Sequence, residues 1–190
     1  MQNENRLFVV SGPSGVGKDT VVSLIRASHP EIEKTISATT RSPRAYEKDG
    51  VDYYFHTLEE FQKLQAEDCV LEYNFYNGNY YGTLRSEVDR RLAEGKPVVL
   101  VIDVNGAANV KRLYPGSTTI FVCPPSMEEL EARLKGRGTD SAESLAGRLA
   151  RAREEMALAP TYDFRVVNTD KDQCAAEIYA LIQTRSAAAD

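Results

Sequence analysis

A glycine-rich run close to the N-terminus constrains this chain more than any other feature. Its residues are Gly12, Pro13, Ser14, Gly15, Val16, Gly17, Lys18, Asp19 and Thr20. An apolar, strand-like segment (7–10) precedes the run, and a helix-like segment follows it. Strand, glycine-rich turn and helix in this order are typical of a P-loop, whose backbone N–H groups and helix dipole bind phosphate. A turn without a ligand is the alternative, but this context favours a nucleotide-phosphate site with Lys18 at the terminal phosphates.

One position of this run departs from the usual pattern. The residue after the lysine is normally Ser or Thr, whose hydroxyl holds Mg²⁺, whereas here it is Asp19, followed by Thr20. We therefore expect Mg²⁺ to be held mainly by phosphates and water, with Thr20 or Asp19 as a protein contact. An Asp19 that faces solvent and stabilises the start of the helix is the favoured alternative.

The composition is that of an ordinary globular protein and limits its partners. Of the 190 residues, 42% are hydrophobic and 27% are charged, and the formal net charge is −5. This acidic balance argues against broad binding to nucleic acid or anionic membranes. The three cysteines have no paired spacing, and neither a signal peptide nor a membrane-spanning segment is recognised. We expect a cytoplasmic enzyme without a disulfide framework, a zinc site or an obligate protein partner.

Apolar, strand-like segments alternate with helical patterns along most of the chain. The predicted strands are 7–10, 97–102, 118–123 and 164–167, and the predicted helices are 18–28, 106–113, 127–135 and 173–182. This alternation predicts an α/β fold in which helices cover a parallel sheet.

Two segments interrupt this alternation. Residues 36–82 are rich in tyrosine and contain the turn signal Asn77-Gly78, which predicts a small mixed β lobe inserted into the core. A short polar segment, 136–143, lies between two helices and is typical of a mobile lid. We place one domain over 1–190, with its core at about 6–35 and 96–185, the inserted lobe at about 36–90 and the lid at about 133–150.

Several motifs together resemble those of guanylate kinase, in the same order and over residues 7–182. They are Ser37-Ala38-Thr39-Thr40-Arg41-Ser42-Pro43-Arg44, Gly78-Asn79-Tyr80-Tyr81-Gly82-Thr83, Ile102-Asp103-Val104-Asn105-Gly106 and Leu134-Lys135-Gly136-Arg137-Gly138-Thr139. The resemblance implies a three-layer P-loop fold with a helical lid. It also implies an ATP:GMP phosphotransferase that uses Mg²⁺ with ATP and accepts dGMP more weakly.

The resemblance assigns four residues to the phosphate of GMP: Arg41, Arg44, Tyr53 and Tyr81. Guanidinium groups bind phosphate oxygens through paired hydrogen bonds, and phenol hydroxyls can add donors. A solvated pair of loop arginines is the alternative.

The resemblance also assigns residues to the guanine base. Guanine offers a ring N–H and an amino group, and one carboxylate can accept from both; this role falls to Glu72. Ser37 and Thr83 would supply hydroxyls, and Asp103 would lie near the acceptor. In isolation, Glu72 would be interpreted as an edge-strand carboxylate that faces water.

Catalysis needs no general base, because the acceptor phosphate is already ionised; positioning and charge neutralisation suffice. Lys18 is the contributor from the P-loop, and Arg133, Arg137 and Arg148 are the candidates on the lid side. Two further arginines, Arg151 and Arg153, are expected on a solvated face. By resemblance, Asn168 lies near the adenine of ATP.

Three further positions depart from the family pattern: Tyr46, Val101 and Asn105. A catalytically weak guanylate-kinase-like binding module is one alternative, although such a module would be expected to lose Lys18 or the lid arginines. The other is a related P-loop kinase for another small phosphate acceptor, against which Ser37, Glu72 and Thr83 argue.

Overall fold

The structure, a computed structural model, describes residues 3–136 and 142–187 of the chain. Within these residues the strands are β1 (Leu7–Ser11), β2 (Glu33–Lys34), β3 (Ala38–Thr39), β4 (Tyr54–Phe55), β5 (Val70–Tyr76), β6 (Asn79–Leu84), β7 (Val98–Val101), β8 (Thr118–Cys123) and β9 (Phe164–Val167). The α-helices are α1 (Lys18–Ser28), α2 (Leu58–Ala66), α3 (Arg85–Ala93), α4 (Val104–Leu113), α5 (Met127–Lys135), α6 (Ala142–Ala157) and α7 (Lys171–Ala187). Short 3₁₀ helices lie at Glu4–Arg6 and Ala159–Thr161.

The central sheet has five parallel strands in the order β2-β7-β1-β8-β9. Every residue of β1 is buried, since helices cover both faces of the sheet. Apolar residues of α1, α5, α6 and α7 pack on one face, and those of α3 and α4 pack on the other. The predicted three-layer α/β fold with a parallel central sheet is therefore confirmed.

The strand order places the functional loops at one edge of this sheet. β1 lies between β7 and β8, and the P-loop follows its carboxyl end directly. Asp103 follows the carboxyl end of β7. Ligands of open α/β sheets bind outside the carboxyl ends of the strands, where the strand order reverses. The fold therefore sets the P-loop and Asp103 at the same crevice.

A second, four-stranded sheet has the order β4-β3-β6-β5. β3 pairs with β4 in parallel, whereas β6 is antiparallel to both of its neighbours. β5 and β6 are joined at Asn77 and Gly78, whose φ angles of 50° and 81° suit a two-residue hairpin turn. The predicted small mixed β lobe is confirmed.

Several predicted boundaries agree with the structure, and the others shift for local reasons. Helix α4 begins at Val104 rather than at 106, because the Asp103 side chain caps it by accepting from the Gly106 N–H at 2.9 Å. Helix α7 is longer than predicted at both ends and begins next to Asp170, whose carboxylate accepts from the N–H groups of Asp172 and Gln173. Strand β7 is shorter than the predicted 97–102.

Two further helices, α2 and α3, lie within the inserted lobe and at its end. Helix α2 begins with a capping box, in which Thr57 and Glu60 each bond the backbone N–H of the other. Part of the predicted lid, including Arg137, lies outside the described residues. No helix in 3–136 or 142–187 is both long enough and apolar enough to cross a membrane.

Candidate active site

The P-loop wraps tightly around the carboxyl end of β1. Gly12 has a φ of 139°, and a Cβ atom there would collide with the backbone carbonyl of Val122 on β8. The Lys18 ammonium group donates to the carbonyls of Gly12 and Pro13 at 2.5 and 3.0 Å. The loop therefore needs glycine at its closest approach to the sheet, and its lysine lies against its own backbone.

Asn168 supports this loop from the protein interior. Its side chain is only 4% exposed and donates to the Val16 carbonyl at 2.7 Å. The backbone carbonyl of Asn168 accepts from Arg133 at 3.0 Å, and Arg133 also pairs with Glu129 on α5. The structure thus brings Asn168 and Arg133 together behind the P-loop. The contact between Asn168 and adenine stays a prediction.

A cleft of about 480 Å³ opens beside the P-loop. It is lined by Gly12, Ser14, Lys18, Asp19, Asn74, Tyr76, Val101, Ile102, Asp103, Ser144, Arg148, Arg151 and Glu155. The Arg148 guanidinium of α6 donates to the Ser14 hydroxyl of the P-loop at 2.8 Å. Two predicted cations, Lys18 and Arg148, therefore border the same cleft.

Asp19 borders this cleft but is 77% exposed, and its carboxylate pairs with Lys34 at 3.1 Å. Thr20 is exposed beside it. No group of three or more His, Cys, Asp or Glu among the described residues could hold a metal ion. One carboxylate and one hydroxyl beside a phosphate site suit Mg²⁺, which proteins usually bind through one or two carboxylates, substrate phosphates and water.

Glu72 lies on β5 opposite Thr83 of β6, and the Thr83 hydroxyl donates to its carboxylate at 2.5 Å. The start of α4 packs against it: a Cβ atom on Gly106 would come within 3.1 Å of Glu72 Oε2. Burial, with a smaller contribution from the charge of Asp103, raises the pKa of Glu72 to about 7. Glu72 is thus not a water-facing carboxylate, and both its neutral and its charged form are populated near pH 7.

Ser37 belongs to the same row of residues. β3 and β6 are antiparallel with Ala38 opposite Gly82, and continuing this register places Ser37 beside Thr83. Thr83 in turn lies opposite Glu72. The three residues predicted to recognise the base are therefore neighbours across three adjacent strands.

A second cluster lies in the loop that follows β3 and beside Tyr81 of β6. Arg41 forms a paired salt bridge with Glu47 at 2.8 and 2.9 Å, and its guanidinium lies 5.4 Å from the centre of the Tyr53 ring. The rings of Tyr53 and Tyr81 meet edge-to-face at 6.2 Å. Glu47 also accepts from the Arg44 backbone N–H, and the Arg41 salt bridge lowers the pKa of Glu47. Glu47 organises this loop, a role that sequence reasoning missed.

The three positions that depart from the family pattern border these clusters. Tyr46 accepts a hydrogen bond from Arg44 at 3.1 Å. Val101 lines the P-loop cleft, and Asn105 lines a smaller cavity beside Glu72.

The Arg151 side chain is 54% exposed, as predicted for a solvated face, but it also borders the cleft. Its side chain lines the cleft and pairs with Asp103 at 3.6 Å and with Glu155 at 3.0 Å. Arg153, two residues later, is also exposed but does not line the cleft. Positions 148, 151 and 155 follow helical spacing and lie on one face of α6. That spacing was the signal in the sequence that could have placed Arg151 beside Arg148.

The parallel sheet, the P-loop and the cation-lined cleft define a P-loop nucleotide kinase. A sequence model of the guanylate kinase family matches residues 4–185. The chain is 49% identical to a guanylate kinase of Synechocystis over 94% of both chains. It is 49% identical to one of Thermobifida fusca over 95% of this chain and 92% of that one. A crystal structure of guanylate kinase from Anaplasma phagocytophilum superposes with a TM-score of 0.71 at 31% identity, covering 95% of this chain and 85% of that one.

The chain therefore belongs to the guanylate kinase family, enzymes that catalyse ATP + GMP → ADP + GDP.

Proposed function

We propose that this protein transfers the terminal phosphoryl group of ATP to GMP in the cleft beside the P-loop. The observation that carries the proposal is the arrangement along β6. Tyr81 and Thr83 are two residues apart on this strand, so their side chains face the same side about 7 Å from each other. Thr83 bonds Glu72, and Tyr81 belongs to the cluster around Arg41. This spacing suits a mononucleotide, with its base at one residue and its phosphate at the other.

The roles of individual residues follow from their chemistry. Glu72, Ser37 and Thr83 would bind the guanine edge, with Asp103 near the acceptor, and Arg41, Arg44, Tyr53 and Tyr81 would bind its phosphate. Lys18 and the arginines at 133, 137 and 148 would neutralise the charge that develops on the transferred phosphoryl group. Residues at about 36–90 would form the lobe that binds the acceptor. Residues at about 133–150 would form a lid that excludes water on closing, and the rest of the chain would form the core.

Thr20 or Asp19, together with water and the phosphates of ATP, would hold Mg²⁺, which would neutralise part of the phosphate charge. The P-loop backbone N–H groups would hold the phosphates of ATP, and Asn168 would keep the loop in shape through its bond to Val16. Cys69, Cys123 and Cys174 are free thiols, which supports a reducing compartment such as the cytoplasm.

A coupled assay of ADP release with a panel of nucleoside monophosphates tests the proposed function. We expect rapid turnover with GMP and slower turnover with dGMP. Binding of GMP without turnover would instead indicate a binding module. Turnover with a different acceptor would indicate a related P-loop kinase. Lys18 and Arg148, both at the cleft, favour the kinase over the binding module.

The ionisation of Glu72 predicts a pH dependence of GMP binding. Only the carboxylate can accept from both guanine donors, and its pKa of about 7 means that the neutral form prevails below pH 7. The dissociation constant of GMP should therefore fall about tenfold between pH 6 and pH 8 and then level off. Isothermal titration calorimetry measures it. Glu72→Gln is the matched control, since it keeps the titration of the GMP phosphate; an equal pH dependence in both proteins would contradict the prediction.

A further prediction concerns Asp19, which stands where a P-loop normally has Ser or Thr. The exposed Asp19–Lys34 pair is worth about 1 kcal/mol or less, as is a carboxylate at the start of a helix. Asp19→Ala should therefore leave kcat and the Mg²⁺ requirement nearly unchanged. Thr20→Ala should raise the Mg²⁺ requirement, because its hydroxyl would lie on the phosphate side. Titrating Mg²⁺ in the GMP phosphorylation assay compares the two variants. A larger defect in Asp19→Ala would reverse the two assignments.

A further inference from the structure

Asp103 joins three parts of the molecule through one carboxylate. It caps α4 of the core by accepting from the Gly106 N–H at 2.9 Å. It also accepts from the Asn74 side chain of β5, in the inserted lobe, at 3.3 Å. Its third partner is Arg151 of α6, at 3.6 Å. Because the backbone N–H of a helix start fixes this carboxylate, Asp103 is a rigid point to which α6 can be tied.

Arg151 is itself held on two sides. Its Nε group donates to Glu155 at 3.0 Å, and Glu155 is only 6% exposed. Although the Arg151 side chain is 54% exposed, its two carboxylate partners orient the guanidinium before any ligand arrives. This arrangement suits a residue that holds a helix in place better than a residue that contacts the transferred phosphoryl group.

Arg151 fixes helix α6, which carries Arg148 on the same face, less than one turn earlier. Arg148 in turn donates to the Ser14 hydroxyl of the P-loop. We infer that Arg151 is a positioning residue: by tying α6 to Asp103, it holds the Arg148 guanidinium over the P-loop. The inference rests on the proposed function, since it takes Arg148 to act on the phosphoryl group.

Kinetics of a double-mutant cycle test this role. Arg151→Ala should lower kcat about tenfold to a hundredfold with little change in the KM values for ATP and GMP, because displacing a catalytic group by about 1 Å costs up to this much. In an Arg148→Ala background, the same substitution should lower kcat less than about twofold further. Arg151→Lys should recover part of the loss, and Arg153→Ala on the same helix should leave kcat unchanged.

Since Arg151→Ala leaves the buried Glu155 carboxylate without this partner, a second variant removes both charges, Arg151→Met with Glu155→Gln. It should show the same loss of kcat while its melting temperature stays closer to that of the unaltered protein. If the effects of Arg148→Ala and Arg151→Ala on kcat multiply, Arg151 acts independently of Arg148 and the inference is overturned. Equal losses in Arg151→Ala and Arg153→Ala would overturn it as well.

A measurement without turnover separates this inference from the proposed function. Hydrogen exchange of the α6 peptide, 142–157, should become faster in Arg151→Ala and in Asp103→Asn but not in Arg153→Ala. Unchanged exchange in the first two variants would overturn the inference even if GMP is phosphorylated. If the protein does not phosphorylate GMP but shows this exchange pattern, the tie between α6 and Asp103 would stand. The inference that Arg151 positions Arg148 for phosphoryl transfer would then be overturned.

Discussion

AMP should be phosphorylated about 10⁴-fold less efficiently than GMP, measured as kcat/KM with ATP held at saturation. AMP has no 2-amino group and an unprotonated ring nitrogen, so it would leave the Glu72 carboxylate facing an acceptor. A site built to accept two hydrogen bonds rejects an analogue that lacks the donors by about this factor, because its own polar group is left unpaired. The Thr83 bond and the close packing of Gly106 hold the carboxylate in place and prevent it from turning away.

Glu72→Gln provides the matched test of this discrimination. The amide keeps the shape of the side chain but can accept through only one oxygen, so the preference for GMP should shrink while ATP binding stays unchanged. The kcat/KM ratio of GMP to AMP and the dissociation constant of ATP measure the two effects. Comparable kcat/KM values for AMP and GMP in the unaltered protein would show that Glu72 does not select the base.

The second large effect is expected at Arg148. Replacing it by Ala should lower kcat about 10²-fold or more, the scale of losing one preorganised electrostatic contact in a closed site. The Arg148 guanidinium lies 2.8 Å from the Ser14 hydroxyl, and Ser14 belongs to the loop that would hold the phosphates of ATP. The same loss is predicted for Arg137→Ala. Pre-steady-state bursts of GDP would show whether the chemical step, rather than product release, is slowed.

Arg153→Ala is the control for Arg148→Ala, because it removes the same charge from the same helix at an exposed position. It should retain nearly full activity. If Arg148→Ala and Arg153→Ala had equal kcat values, the charge of Arg148 would have no special part in the transfer.

The inserted lobe shows where local patterns failed. Helix α3 is rich in charged residues, which are usually expected to face water. Its Glu87 is only 2% exposed and accepts from the Ile36 N–H, the Tyr54 hydroxyl, Arg90 and Arg91. Arg90 and Arg91 are neighbours on the same helix, but Ile36 and Tyr54 come from distant parts of the sequence. Burial of this carboxylate therefore depends partly on contacts that no local pattern contains.

The sequence by itself determined the P-loop, the strands 118–123 and 164–167 and the hairpin at Asn77-Gly78. It also predicted residues for the base and phosphate sites. Each of these depends on neighbours in the chain: glycines that permit a tight turn, apolar runs that form strands, and short motifs in a fixed order. Only the tertiary structure decided the environment of Glu72, the organising role of Glu47 and the place of Arg151 in the cleft. A charged residue has the same local pattern whether it faces water or a partner, and its burial depends on which distant carboxylate, hydroxyl or backbone group the fold brings to it.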